Sequence, residues 1–157
     1  MPKINHTRHV LNELLVDLFN YILFIEERNL KDNGVNLSIS EVHLIESVYK
    51  AENNNITSIA SDMLVTKGTF SLNVSRLIKK GYLKKYKDKD DGRIVRVEIT
   101  DKAKDVLLEH DKFHNTLIDR AISDLNLEDN EVLNQSLHQL LDYFRKEYND
   151  SKVNNEC

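Results

Sequence analysis

TSIASDMLVTKGTFSLNVSRLIKKGYLKKYKDKDDGRIVRVEIT, residues 57–100, carries the clearest structural pattern in the chain. It reads as two short helices joined by a tight turn and followed by a lysine-rich hairpin, which is the pattern of a winged helix-turn-helix. The charge of the chain is sorted around it. Residues 67–96 hold ten basic side chains (Lys67, Arg76, Lys79, Lys80, Lys84, Lys85, Lys87, Lys89, Arg93, Arg96) against Asp88, Asp90 and Asp91, a net of +7. The whole chain sums to −4, so the remainder carries −11. A net-acidic protein that gathers its positive charge on one helix and one hairpin is built to meet a polyanion with one surface.

The spacing within this stretch supports that reading. Val65, Thr66 and Lys67 form the turn, and Thr66 is placed to cap a helix that ends at Gly81. Phe70, Val74 and Leu77 fall within about 40° of one another at ~100° per residue, so they face a core. The opposite side shows Gly68, Thr69, Ser71, Leu72, Ser75, Arg76 and Lys79. Beyond it, 82–87 and 94–99 read as strands joined by a turn at Asp91-Gly92, with Val95, Val97 and Ile99 alternating against Arg96 and Glu98. A short strand near Asn55 and Ile56 is placed to pair with this wing.

Upstream, Leu11, Leu14, Leu15, Leu18, Ile22 and Ile25 recur at helical spacing and predict a long amphipathic helix over 8–31. Phe19, Tyr21, Leu23 and Phe24 make its other side apolar too, as expected of a helix sandwiched between its own domain and a second subunit. Ser38 and Glu41 have capping-box spacing and open a helix through about 49. Thr57 is read as the cap of a short helix to Leu64. Downstream, Thr100 caps a long helix to about 125, and a last helix runs from about 127 to 147. The tail from Asn149 is expected to fray. The order is α-α-α-α-β-β-α-α: mainly α with a small β-wing.

The 157 residues, 40% hydrophobic, suffice for one sizeable core and a single domain over 1–157. No stretch reaches the ~20 apolar residues that span a bilayer. Cys157, the one cysteine, cannot form an internal disulfide, which fits a reducing, cytoplasmic setting. On a tail it is also a poor peroxide sensor, since such chemistry needs a thiolate in a structured, electropositive site. Glycine-rich phosphate loops, a nucleophile elbow and a cysteine–histidine pair are all missing, so an enzyme is not expected. A purely structural dimerisation module would not need the segregated charge.

A recognition helix of this composition fits the DNA major groove, where small side chains allow close approach. The first-turn amides near Thr66 and Lys67 can meet a phosphate. Thr69, Ser71 and Ser75 are candidates for base edges, Leu72 for a thymine methyl, and Arg76 for a base or a phosphate. Lys89 and its neighbours on the wing, with Arg93, would add salt-sensitive contacts to the backbone or minor groove. Taken singly, Lys84, Lys85 and Lys87 read equally well as charges that keep a strand edge from aggregating.

These residues resemble the MarR family of bacterial transcriptional regulators. The resemblance rests on LVTKGTFSLNVSRLIKKGYL (64–83) and DGRIVRVEIT (91–100), and the long flanking helices fit it. It implies a homodimer on a pseudo-palindromic operator, with helices 8–31 and 101–148 dimerising and the lobe at about 55–100 binding double-stranded DNA. It also implies that Arg93 enters the minor groove steadied by Asp91. Gly92 departs from the second arginine of many members. FNYILFIEERNL, SISEVHLIESV, MLVTKGT and HDKFHNTLI further resemble the FabT-like subgroup, repressors of fatty-acid biosynthesis genes that respond to long-chain acyl groups on acyl carrier protein. Phe19, Leu23, Phe24, His43, Leu44, Val48, Val106 and Phe113 would then line an apolar channel, although such stripes usually form ordinary core.

Two other signals stay open. His110 and His114, four apart, have ligand spacing and with His43 and Glu26 would make a zinc set, a signal that some MarR-like regulators use. A small aromatic ligand that releases the DNA is the other. No cofactor is expected.

Overall fold

A computed structural model describes residues 2–155 of the chain, with side chains described from 6 to 152; Cys157 lies outside them. Helix α1 (Pro2–Asn12) runs through a π-helical turn (Glu13–Leu18) into α2 (Phe19–Asp32). Helices α3 (Ile39–Lys50), α4 (Ile56–Asp62) and α5 (Lys67–Lys79) follow, then strands β1 (Leu83–Lys87) and β2 (Val95–Ile99), then α6 (Asp101–Leu125) and α7 (Glu131–Asn155). By its internal contacts the chain divides into two units, 1–44 and 45–157.

In the first unit the expected helix is longer at its start and carries the π-helical turn. Its i→i+5 pairing takes in an extra residue and turns the following residues to a new face. Leu15, Val16, Leu18, Phe19, Tyr21 and Phe24 are all exposed. Helix α3 opens on the expected capping box: Ser38 N–H donates to Glu41 Oε2 at 2.9 Å, and Glu41 N–H donates to Ser38 Oγ at 3.2 Å. Glu27 reinforces it, accepting from Ile39 N–H at 2.7 Å.

In the second unit Ile56, Ile59, Ala60, Phe70, Val74, Leu77, Tyr82, Leu83, Val97, Ala103 and Leu107 are buried. The strands pair antiparallel with Leu83 opposite Ile99 and Lys85 opposite Val97. Asn55 bridges to Arg96, so the expected short third strand is present as a single bridge. The cap of α4 is Asn55, whose side chain accepts from Ser58 N–H at 2.9 Å. Thr57 is therefore not the cap; it sits inside the first turn, because an asparagine two residues earlier supplies the acceptor. Helix α7 begins at Glu131, later than expected, with Asn130 Oδ1 accepting from Leu133 N–H at 3.0 Å. Nor does the tail fray at Asn149. The helix continues to Asn155, since Tyr148 donates to the Asp62 carbonyl and Lys152 pairs with the Asp62 carboxylate.

Four helices end in the same hydrogen-bonded motif, with a left-handed residue at Gly34, Leu64, Gly81 and Asn126. At the α4 end Leu64 N–H donates to Ser61 O and Val65 N–H to Ala60 O, both at 3.0 Å. Glycine and asparagine tolerate this backbone, whereas leucine at φ 55° does so at a steric cost of about 1–2 kcal/mol. Leu64 is 41% exposed, so little packing offsets that cost. Leu64→Asn is expected to raise stability by about 0.5–1 kcal/mol, read as a higher urea midpoint at unchanged slope. A lower midpoint would mean that the leucine side chain holds the turn through packing.

Candidate nucleic-acid interface

Helix α5 is oriented by its buried side. Phe70, Val74 and Leu77 are 0–1% exposed and lie inward, as their spacing predicts. Thr66 caps the helix, accepting from Thr69 N–H at 3.1 Å and donating its own proton to Thr69 Oγ1 at 2.9 Å. These bonds commit much of both hydroxyls to the turn. Lys67, Gly68, Thr69, Leu72, Arg76 and Lys79 are exposed on the outer side, with Ser71 and Ser75 half-buried beside them. Ser75 donates to the Ser71 carbonyl at 2.9 Å, leaving its lone pairs available as acceptors.

The wing loop joins β1 to β2 between residues 88 and 94, closed by Asp88 N–H donating to Ile94 O at 2.9 Å. At its tip Arg93 is almost fully exposed and held by Asp91 in a fork: Nε to Oδ1 at 3.0 Å and Nη2 to Oδ2 at 3.1 Å. The guanidinium and the Arg93 N–H together hold the Asp91 carboxyl below its ordinary range, and the same pairing raises Arg93. Lys89 is exposed on the same loop.

The basic residues of the segment do not all play one part. Lys84 pairs across the hairpin with Glu98 at 3.2 Å, and Glu98 also accepts from the Tyr86 hydroxyl at 2.7 Å. Tyr86 first, then Lys84, lowers the Glu98 carboxyl. Arg96 turns toward Asp88 and the 53–54 loop. Between α5, the start of α4 and the wing lies a half-open groove of about 250 Å³. Lys67, Ser71 and Ser75 line it from α5, Lys85 and Arg93 from the wing, and Thr57 from α4. Four of the residues singled out from sequence thus converge on one groove, while Leu72, Arg76 and Lys89 lie exposed outside its lining. The contribution of Thr57 was not legible in the sequence, where its spacing pointed to a cap.

The other sequence-named residues fall in both units. In the first, Phe19 and Phe24 are exposed, Leu23 is half-buried and Leu44 is buried. There too, half-buried His43 has its Nε2 3.8 Å from Oε2 of the buried Glu26. In the second, Val48 is buried, and Val106 and Phe113 are half-buried. His110, also buried, has Nε2 3.2 Å from Nε2 of His114, with the rings edge to face. That contact needs one ring to donate and the other to accept.

Among the described residues no helix is long and apolar enough to cross a membrane. Residues 37–95 match the model of the MarR family. Among solved structures the chain is similar to FabT from Streptococcus pneumoniae, a structure in complex with DNA. The identity is 28% and the TM-score 0.79, over 88% of this chain and 98% of that one. It is also similar to the transcriptional regulator BldR from Sulfolobus solfataricus, with 26% identity and a TM-score of 0.65 over 91% and 99%. A MarR protein from Peptoclostridium difficile shares the fold, with a TM-score of 0.73 at 21% identity over 92% and 90%. No curated protein matches the chain. The matched segment and the fold are those of DNA-binding transcription regulators: over residues 37–95 the chain is similar to the MarR family.

Proposed function

We propose that this regulator works as a homodimer on a pseudo-palindromic operator. Helix α5 of each copy would enter successive major grooves about 34 Å apart, with the wings on the flanking backbone and minor groove. The observation that carries this is the convergence of Lys67, Ser71, Ser75 and Arg93 on one groove of a segment with net charge +7. A second copy is supported by the apolar side chains left exposed on the terminal helices, among them Phe19, Phe24, Leu108, Ile118, Val132, Leu137 and Phe144. So much bare apolar surface is unusual for a soluble monomer.

The regulated genes we propose are those of fatty-acid biosynthesis, with repression strengthened by a long acyl chain on acyl carrier protein. The likeness to FabT over 88% of the chain supports this reading. For such a switch, the acyl group must bind the DNA-competent spacing of the two lobes more tightly than the other spacing.

Fluorescence anisotropy on duplexes from the chain's own promoter and from fatty-acid synthesis promoters tests both levels. Selective binding is expected, with log affinity falling against log salt at a slope of magnitude roughly 6 or more, since each phosphate contact contributes about 0.9. Acylated carrier protein should tighten it and the unacylated carrier should not. Equal affinity for scrambled duplexes would refute the regulator. Selective binding indifferent to acyl chains would refute only the lipid signal, leaving zinc and small aromatic ligands to be titrated.

A further inference from the structure

We propose that Arg96 and Asp88 are positioning residues of the wing, which make no contact with DNA themselves but fix the direction in which Arg93 is presented to it. The proposal rests on the DNA-binding reading above.

A continuous series of contacts carries it. Arg96 Nη1 donates to Asn54 Oδ1 at 2.9 Å, while its Nε donates to Asp88 Oδ2. The other oxygen of Asp88 accepts the backbone N–H groups of Asp90 at 2.9 Å and Asp91 at 3.0 Å. Asp91 then holds the Arg93 fork. From the loop before α4 to the wing tip, each link is a hydrogen bond to a charged group, the stronger kind. Asn54 is itself held, donating through Nδ2 to the Tyr86 hydroxyl at 3.1 Å. Its carbonyl also accepts from Val97 N–H at 2.9 Å.

Burial separates the two arginines. The Arg93 side chain is 92% exposed, whereas those of Arg96 and Asp88 are 29% and 13% exposed. Asp88 is held at about 2 by the Asp91 N–H first, then by Arg96 and the Asp90 N–H. A carboxyl depressed in this way favours the folded wing above about pH 4, and the contribution is lost as pH falls through about 2.

Charge alone and positioning predict opposite signs for Asp88→Asn. That substitution removes a negative charge beside the DNA, so simple electrostatics predicts tighter binding. Positioning predicts binding weakened about tenfold: the asparagine carbonyl can still accept from the Asp90 and Asp91 N–H groups, but its amide cannot accept from Arg96, so the loop loses its anchor while Arg93 remains. Arg96→Ala should weaken binding comparably, and Arg96→Lys should not restore it, since an ammonium cannot span Asp88 and Asn54 as the guanidinium fork does. In an Arg93→Ala background neither substitution should cost anything further.

The test is anisotropy on the operator duplex for these variants, alongside trypsin cleavage after Lys89 and Arg93 without DNA. Cleavage should speed up about tenfold in Asp88→Asn and Arg96→Ala if the loop now opens more often, at unchanged helical circular dichroism. Tighter binding by Asp88→Asn, rescue by Arg96→Lys, additivity with Arg93→Ala, or unchanged cleavage would each overturn the proposal. A wild-type chain that binds no duplex selectively overturns the DNA reading, and with it the use proposed for the bracket. The cleavage rates would still decide whether the bracket holds the wing.

Discussion

Arg76→Ala combined with Arg93→Ala is expected to abolish selective operator binding and to leave the proposed dimer intact. Each arginine contributes about 1–3 kcal/mol, or roughly ten- to a hundredfold, if it reads a base edge. Arg93 presents a charge that needs no ordering on binding, because Asp91 already holds it in a fork with contacts of 3.0 and 3.1 Å. Its remaining donors point to solvent from an almost fully exposed tip. Arg76 leaves the exposed side of α5 in its last turn. Neither residue belongs to α1, α2, α6 or α7, whose exposed apolar side chains would build the dimer. Anisotropy should show the loss, and light scattering after size-exclusion chromatography should return the same mass as wild type. Variants that bind as wild type does would show that the contact surface lies elsewhere.

The second large effect is on stability. Phe70→Ala is expected to cost about 3–5 kcal/mol, through lost burial and the cavity left behind. Phe70 is 0% exposed at the centre of the inward side of α5, among Val74 and Leu77, which are equally buried. Against a total stability typically of 5–15 kcal/mol, the variant should lose a large share of its folded population well below the wild-type urea midpoint. Leu72, two residues on and 55% exposed, is the control. Leu72→Ala should change stability by less than about 0.5 kcal/mol while weakening operator binding. A Phe70→Ala cost near that of Leu72→Ala would mean that the inward side of the recognition helix has been misassigned.

Much of this architecture was readable because it is local. The period that turns Phe70, Val74 and Leu77 inward, the caps at Thr66 and Thr100, and the Ser38–Glu41 box all act within one or two helical turns. Side chains three or four residues apart meet whatever the rest of the chain does. The same locality made Thr57 a plausible cap. The choice between Thr57 and Asn55 depends on where the backbone leaves the wing, and Asn55 is also the residue that bridges Arg96.

What lay beyond reach involves partners far apart in the chain. Composition counted Lys84 and Arg96 with the DNA-facing charge. The strand register sets Lys84 opposite Glu98, and the hairpin turns Arg96 back onto Asp88 and Asn54, the latter 42 residues away. The end of α7 has the composition of a fraying polar tail, yet Tyr148 reaches the Asp62 carbonyl across 86 residues. The helix-turn-helix, the wing and the sign of its charge are legible in the chain alone, since spacing and composition act residue by residue. Which charges face outward and which pair within the wing follows from the three-dimensional fold alone, because an ion pair exists only where folding brings both partners within a few ångströms.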